Sequence, residues 1–201
     1  MPAPRPPRSS HRPLKKPTPE RLANVALYYL ARYAATEASL RRVLENRVRR
    51  AVMQDVVFAA DREAQAALVK AIDHIVEQHK ASGVINDEAF AAMKVESLRR
   101  AGRSARRITQ TLAVKGIKAE ATQRALESYE QDEGEGQELA AALRFAKKKK
   151  MGRFAPPSPP ATDAALVAKR KNKEVAAMAR AGFSFDVIRK VLEADIDGAE
   201  A

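Results

Sequence analysis

The sequence contains no cysteine and no tryptophan, and only four tyrosines, six phenylalanines and eight glycines in 201 residues. Without cysteine there is no disulfide, no thiolate zinc site and no cysteine nucleophile. That fits a reducing compartment, and a cytoplasmic location is expected. No apolar run approaches the roughly 18–20 residues of a membrane span. The first 21 residues are Pro-rich and basic without an apolar stretch, unlike a secretory signal. Histidine is also scarce. His11 stands alone near the start, and His74 and His79 are five apart, not at the i, i+4 spacing of a helical metal pair. There is no Gly-rich phosphate loop, no G-x-S-x-G, and no pattern that defines a carboxylate pair. The chain is therefore expected to be no enzyme, with no metal, no cofactor and no small-molecule substrate. The few aromatic residues sit at core-like spacings, Tyr29, Phe90 and Tyr129 among them, and none reads as a base-stacking platform.

Positive charge is abundant. The chain carries 37 Lys and Arg against 25 Asp and Glu, a net charge of +12. A balance this basic points to an acidic partner surface. The charge is uneven. Residues 91–118 hold eight basic residues against Glu96 alone, a local charge of +7. Residues 144–173 hold ten against Asp163 alone, a local charge of +9. Residues 120–138 run the other way, with Arg124 against seven carboxylates, a local charge of −6. Same-sign charges clustered around turns repel one another, which favours a binding use over a merely solvated face. Arg99, Arg100, Arg103, Arg106 and Arg107 flank Gly102 and are expected to form a fork-bearing surface for carboxylates or phosphates.

No stretch alternates with period two, so the fold class is all-α. Residues 1–17 carry six prolines among basic residues and read as a disordered, extended tail. Thr18-Pro19-Glu20 opens a helix with the stripe Leu22, Ala26, Tyr29 and Tyr33. Thr36 caps a second, with Leu40, Val43, Leu44 and Val48. A third, about 61–81, buries Ala64, Leu68, Ile72 and Ile75 and stops at Gly83. Asn86 or Asp87 caps the next, through about Ala101, with Phe90, Met93 and Leu98 on its inner face. After Gly102, Ser104 caps a short helix carrying Ile108 and Leu112 that ends at Gly116. A helix over about 119–131 buries Thr122, Ala125, Leu126 and Tyr129. The acidic run around Gly134 and Gly136 reads as a joint between units. Beyond it, a helix with Leu139, Ala142, Leu143 and Phe145 runs into Lys147 to Lys150. The Pro-rich stretch 155–160 must be a loop. Two last helices, about 162–181 and 185–194, are separated by Gly182, with Ser184 capping the second.

Two segments align without gaps. Leu112 to Ile117, followed by Thr122 and Leu126, matches Met178 to Phe183, followed by Ile188 and Leu192. Each reads as a helix, a left-handed glycine stop, an apolar plug and a second amphipathic helix. Thr36, Leu40 and Leu44 repeat the spacing of Ser104, Ile108 and Leu112. The pattern predicts tandem three-helix repeats: 18–84, with an insertion at about 50–61, then 85–133 and 134–196.

Four stretches resemble the RecX family, regulatory proteins that modulate the RecA recombinase. They are Ala26 to Arg32 with Thr36 to Leu44; Gly83 to Phe90; Ser97 to Ile117, which reads SLRRAGRS and continues through Ile108 and Leu112 to Lys115-Gly116-Ile117; and Ala181 to Leu192. Together they cover most of residues 24–194. One departure follows Leu44. The family usually shows a basic residue, Gly and Phe there, whereas this chain reads Glu45-Asn46-Arg47-Val48-Arg49. The resemblance implies tandem three-helix repeats forming an elongated, curved molecule. It implies a protein that lies in the groove of the RecA filament on DNA and inhibits recombinase, ATPase and coprotease activity; a monomer that meets single- or double-stranded DNA, directly or through RecA, is expected. Such a role belongs to homologous recombination, DNA repair and the SOS response. The residues expected to meet RecA or DNA are Arg99, Arg100, Arg103, Arg106, Arg107 and Lys115, then Lys147, Lys148, Lys149, Lys150 and Arg153. The alternative is a stand-alone, sequence-nonspecific DNA-binding protein acting through phosphate neutralisation. A helical adaptor for RNA or ribosomes has only the Pro/Arg tail in its favour.

Overall fold

The computed structural model describes residues 16–157 and 163–193, and among these every regular element is helical. The first fifteen residues, positions 158–160 of the Pro-rich stretch and 194–196 lie outside the described residues. The described residues divide into two compact units, one up to Ile85 and one from Asn86.

The first unit holds α1 (Pro19–Leu30), α2 (Glu37–Gln54), the short α3 (Val56–Ala60) and α4 (Arg62–Ala81). Local chemistry sets their starts. The Thr18 hydroxyl accepts from the Arg21 N–H, and Pro19 takes the first helical turn. Thr36 and Ser39 form a reciprocal capping box at 2.8 and 3.1 Å. Leu22, Ala26, Leu40, Leu44, Leu68, Ile72, Ile75 and Val76 fill the core. Tyr33 does not extend the α1 stripe. The helix stops at Leu30, and Tyr33 is exposed, its ring tilted against Tyr29 at 5.2 Å.

The stretch at about 50–61 becomes helix. With no glycine after Leu44, α2 continues to Gln54. Asp55 then caps α3 through the Phe58 N–H at 3.0 Å, and Asp61 caps α4 through the Ala64 N–H at 2.9 Å. Phe58 is buried, and the Gln65 amide donates to the Phe58 and Ala59 carbonyls, tying α3 to α4.

The second unit contains α5 (Asp87–Arg100), α6 (Ala105–Val114), α7 (Ala119–Glu133), α8 (Gln137–Lys149), a 3-10 turn at Gly152–Phe154, α9 (Ala164–Arg180) and α10 (Phe185–Glu193). It has two apolar cores. One joins Phe90, Ala91, Val95, Ile108, Leu112, Ile117, Ala121, Ala125, Leu126 and Tyr129. The other joins Ala141, Ala142, Ala146, Met178, Phe183, Ile188 and Val191. The inner face of α5 is rotated from the sequence expectation. Met93 is exposed, and Ala91, Val95 and Arg99 at four-residue spacing take the inner positions beside Phe90.

The repeat has a shared local geometry. Ile117 donates its N–H to the Leu112 carbonyl at 3.1 Å, and Phe183 does the same to Met178 at 3.3 Å. Gly116 and Gly182 hold φ of +81° and +94° between them. These are Schellman stops, each with an apolar residue tucked under the helix end. Thr36 and Ser104 are both buried caps, and Leu40, Leu44, Ile108 and Leu112 are all fully buried.

Candidate functional site

The SLRRAGRS stretch runs from the last turn of α5, through a glycine stop, into the cap of α6. Its internal contacts account for three of its residues. Gly102 has φ of +74°, and a Cβ placed there would lie 2.9 Å from the Phe145 backbone nitrogen and 3.1 Å from the Ala141 carbonyl. Only glycine lets α8 approach so closely. Ser104 accepts from the Arg107 N–H at 3.2 Å as the cap of α6, and donates to the Ala181 carbonyl at 2.7 Å. A Cβ on Gly182 would lie 2.6 Å from the Ser104 oxygen, so the turn between α9 and α10 also depends on a missing side chain.

Arg99 is the third. It is 1% exposed, the largest fully buried side chain among the described residues. Its guanidinium pairs with Glu138 of α8, lies 3.7 Å from Glu130 of α7, and donates to the Arg103 carbonyl at 3.5 Å. The same Glu138 oxygen accepts from the Ala105 N–H at 2.9 Å, at the positive end of α6. Arg144 of α8 donates back to the Arg99 carbonyl at 3.4 Å. Arg99 thus sits inside the protein as a tie between helices, separate from the surface on which its charge run suggested it. The Ala91–Val95–Arg99 spacing carried that information, because four-residue steps along α5 follow the core face.

The remaining arginines are at the surface. Arg100 pairs with Glu96 one turn back at 2.6 Å. Arg107 donates to Gln110 at 3.4 Å. Arg103 and Arg106 are exposed, and among the described residues no carboxylate lies within ion-pair distance of either. Lys115 is the exposed C-cap of α6. Lys147, Lys148 and Lys149 end α8, where the helix dipole favours cations, and Lys150 follows with φ of +55°. Arg153 is exposed, 4.9 Å from the Phe154 ring centroid.

The fold brings the two basic runs together. Because Gly102 rests on α8, Arg144 stands beside the α5–α6 turn, its Cβ 3.2 Å from the position a Gly102 Cβ would take. Lys147 and Lys148 follow Arg144 at i+3 and i+4 on the same helix face. Because Ser104 holds the Gly182 turn, the end of α9, two residues past Arg180, arrives at the start of α6 against Ser104 and Arg106. Arg144 and Arg180 were not among the residues expected from sequence. No local signal places them, because the contacts responsible span 45 and 77 residues.

The acidic run has two jobs. Glu130 and Glu138 hold Arg99, while Gln137 closes the bend at Gly134 by donating to the Glu133 and Gly134 carbonyls at 2.8 and 3.2 Å. No helix of the described residues is long and apolar enough to cross a membrane, and among them no three His, Asp or Glu cluster as metal ligands.

Comparison with known proteins bears on the same segment. Residues 86–126, from the cap of α5 into α7, match the family described as RecX, second three-helix domain. The chain is 37% identical over 181 residues to the Regulatory protein RecX of Myxococcus xanthus, covering 90% of this chain and 89% of that protein. It is 32% identical over 179 residues to the Regulatory protein RecX of Agrobacterium fabrum, covering 88% and 84%. In structure it resembles the RecX crystal structure from Lactobacillus salivarius, with a TM-score of 0.59 at 19% identity over 88% of this chain and 95% of that one. A second crystal structure, of a regulatory protein RecX, gives 0.58 at 18% identity over 87% and 71%. At those identities the structural likeness speaks to the fold alone.

Proposed function

The chain belongs to the RecX family of regulatory proteins, and from that membership we propose that it is a non-catalytic regulator of RecA. It binds RecA–DNA filaments and lowers their ATPase, recombinase and coprotease activity by occupying the filament groove. The observation that carries this reading is the junction of the two basic runs. Gly102 seats on α8 between Arg103, Arg106 and Arg107, which follow it into the first turn of α6, and Arg144, Lys147 and Lys148 along α8. A filament of acidic protein around DNA is a polyanion, and a concentrated positive surface gains both steering and affinity from it. Arg100, Lys115, Lys149, Lys150 and Arg153 extend the surface. Arg99 does not belong to it. Residues 18–84, 85–133 and 134–196 act in this reading as three successive helical modules.

The test is RecA ATPase on single-stranded DNA with increasing amounts of the chain. Inhibition is expected from the native protein. The triple variant Arg103→Glu, Arg106→Glu, Arg107→Glu should lose it at least tenfold while keeping its helicity. Full inhibition by that variant would remove this surface from the mechanism. The lack of described carboxylate partners at Arg103 and Arg106 also suits a second reading, in which the chain binds DNA without RecA. Titration on bare DNA, with and without RecA, separates the two, since affinity indifferent to RecA favours the second.

A further inference from the structure

The first half of α9 buries no side chain among the described residues. Every residue from Asp163 to Lys173 is exposed, and the helix first meets the core at Glu174, Val175 and Met178. Isolated helices of this length are marginal in water. This one also carries Lys169, Arg170, Lys171 and Lys173 within five positions. Like charges so placed oppose the helix unless something outside it compensates.

Helical geometry sorts these cations into two sets. At about 100° per residue, Met178, Val175 and Lys171 point to the core side, while Lys169, Lys173 and Arg180 fall together on the opposite side. The core-side set has internal partners: Lys171 reaches Glu193 of α10 at 3.4 Å, and Arg170, between the two sides, reaches Glu174 at 3.7 Å. Among the described residues, Lys169, Lys173 and Arg180 have no carboxylate within ion-pair distance. Ala176 and Ala177 lie between them. The line runs about 16 Å along the helix. Two residues past Arg180, the Gly182 turn rests on Ser104 and Arg106 at the start of α6.

We propose that this outward face of α9 is a nucleic-acid strip, with Lys169, Lys173 and Arg180 each neutralising a backbone phosphate of duplex DNA. The proposal rests on the reading above, in that a regulator of a nucleoprotein shares the space of its DNA, and it names phosphate as the ligand of a face not included there. Chemistry favours nucleic acid over an acidic protein. A protein interface needs a central apolar or aromatic anchor that excludes water. Between Lys169 and Arg180 the outward face offers only cations and alanine, which suits sequence-independent phosphate contacts.

The test is the salt dependence of binding to a fluorescein-labelled 20-base-pair duplex, measured by anisotropy on full-length protein. Three proteins are compared: native, the α9 variant Lys169→Ala/Lys173→Ala/Arg180→Ala, and a control, Arg50→Ala/Arg62→Ala/Lys70→Ala, that removes the same net charge from the first unit. Each lost phosphate contact lowers the slope of log K against log salt by about 0.9. The α9 variant should lose about 2–3 from its slope with circular dichroism unchanged, and the control less than about 1. Three results would each overturn the proposal: a native slope in the α9 variant, equal losses in both variants, or a native protein that inhibits RecA yet ignores the duplex. The last would assign the face to acidic protein. If the native protein binds the duplex through α9 but leaves RecA ATPase untouched, the regulatory reading falls and the strip stands.

Discussion

Arg99 and Glu138, 39 positions apart, form an ion pair in which the arginine is enclosed and the glutamate is 27% exposed. Both ends are further committed: Glu138 holds the first N–H of α6, and Arg99 lies within reach of Glu130. A guanidinium suits this place because its planar fork serves several acceptors at once, which a lysine does not. The pair joins α5 to α8 and so links the two cores of the second unit.

Removing the arginine leaves Glu138 without its main counter-charge and opens a void. Breaking a buried pair from one side costs about 3–5 kcal/mol, and partial exposure of the carboxylate lowers that range. Arg99→Ala is expected to destabilise by about 2–4 kcal/mol, read from the urea midpoint of full-length protein. Arg103→Ala, at the exposed neighbour, should stay within about 0.5 kcal/mol and change binding instead. Equal losses of stability would mean that Arg99 is no tie.

Gly102 and Gly83 share nearly the same backbone, with φ of +74° and +73°, but not the same surroundings. A methyl on Gly83 meets nothing within 4 Å, whereas on Gly102 it meets the α8 backbone. Gly83→Ala should therefore cost only the left-handed strain, about 1 kcal/mol. Gly102→Ala adds displacement of α8 and should cost at least about 2 kcal/mol more. Thermal melting of the two variants side by side checks the difference. Similar shifts would mean that α8 yields easily.

Much of the helix pattern was legible because helix ends are local events. Thr18, Thr36, Asn86 and Ser104 each cap within three residues, and Gly116 and Gly182 stop within one turn. Arg99 was misplaced because a charge run outweighed its four-residue step from Val95. Met93 was misplaced the opposite way, as an apolar residue assumed to be inside. The helical character of 50–61 rests on the continuation of α2 to Gln54 and on the Asp55 cap of α3, in a stretch read as an insertion. The union of the basic runs depends on Gly102 seating against α8 beside Arg144, and no spacing rule reaches across the 45 residues from Arg99 to Arg144.

Lys150 occupies the position that glycine fills at the other stops. Its φ is +55°, and the Met151 N–H bonds the Ala146 carbonyl at 2.9 Å, the same bond that closes α6 and α9. An L side chain there carries left-handed strain that glycine lacks, worth about 1 kcal/mol, partly offset by the greater freedom of glycine in the unfolded chain. Lys150→Gly is expected to raise stability by a few tenths to about 1 kcal/mol and to weaken filament binding slightly through the lost charge. Urea midpoints with RecA ATPase titrations measure both effects. A less stable variant would show that the lysine makes compensating contacts.

Asp55 links stability to pH in the first unit. Its carboxylate is held below the ordinary aspartate value, first by the Phe58 N–H it accepts and then by Lys16, 3.7 Å away. A group with a lowered folded-state value stabilises the protein above its unfolded value, about 3.9, and loses that contribution as pH falls through the folded value. Asparagine caps a helix nearly as well but does not titrate. Asp55→Asn should therefore differ little from native at low pH, where the native carboxyl is protonated, and be modestly less stable near pH 7. Urea midpoints taken from pH 7 to pH 2.5 follow the gap between the two proteins, which should narrow as the pH drops below about 4. A gap that stays constant across that range would assign the cap to geometry alone, with no part for its charge.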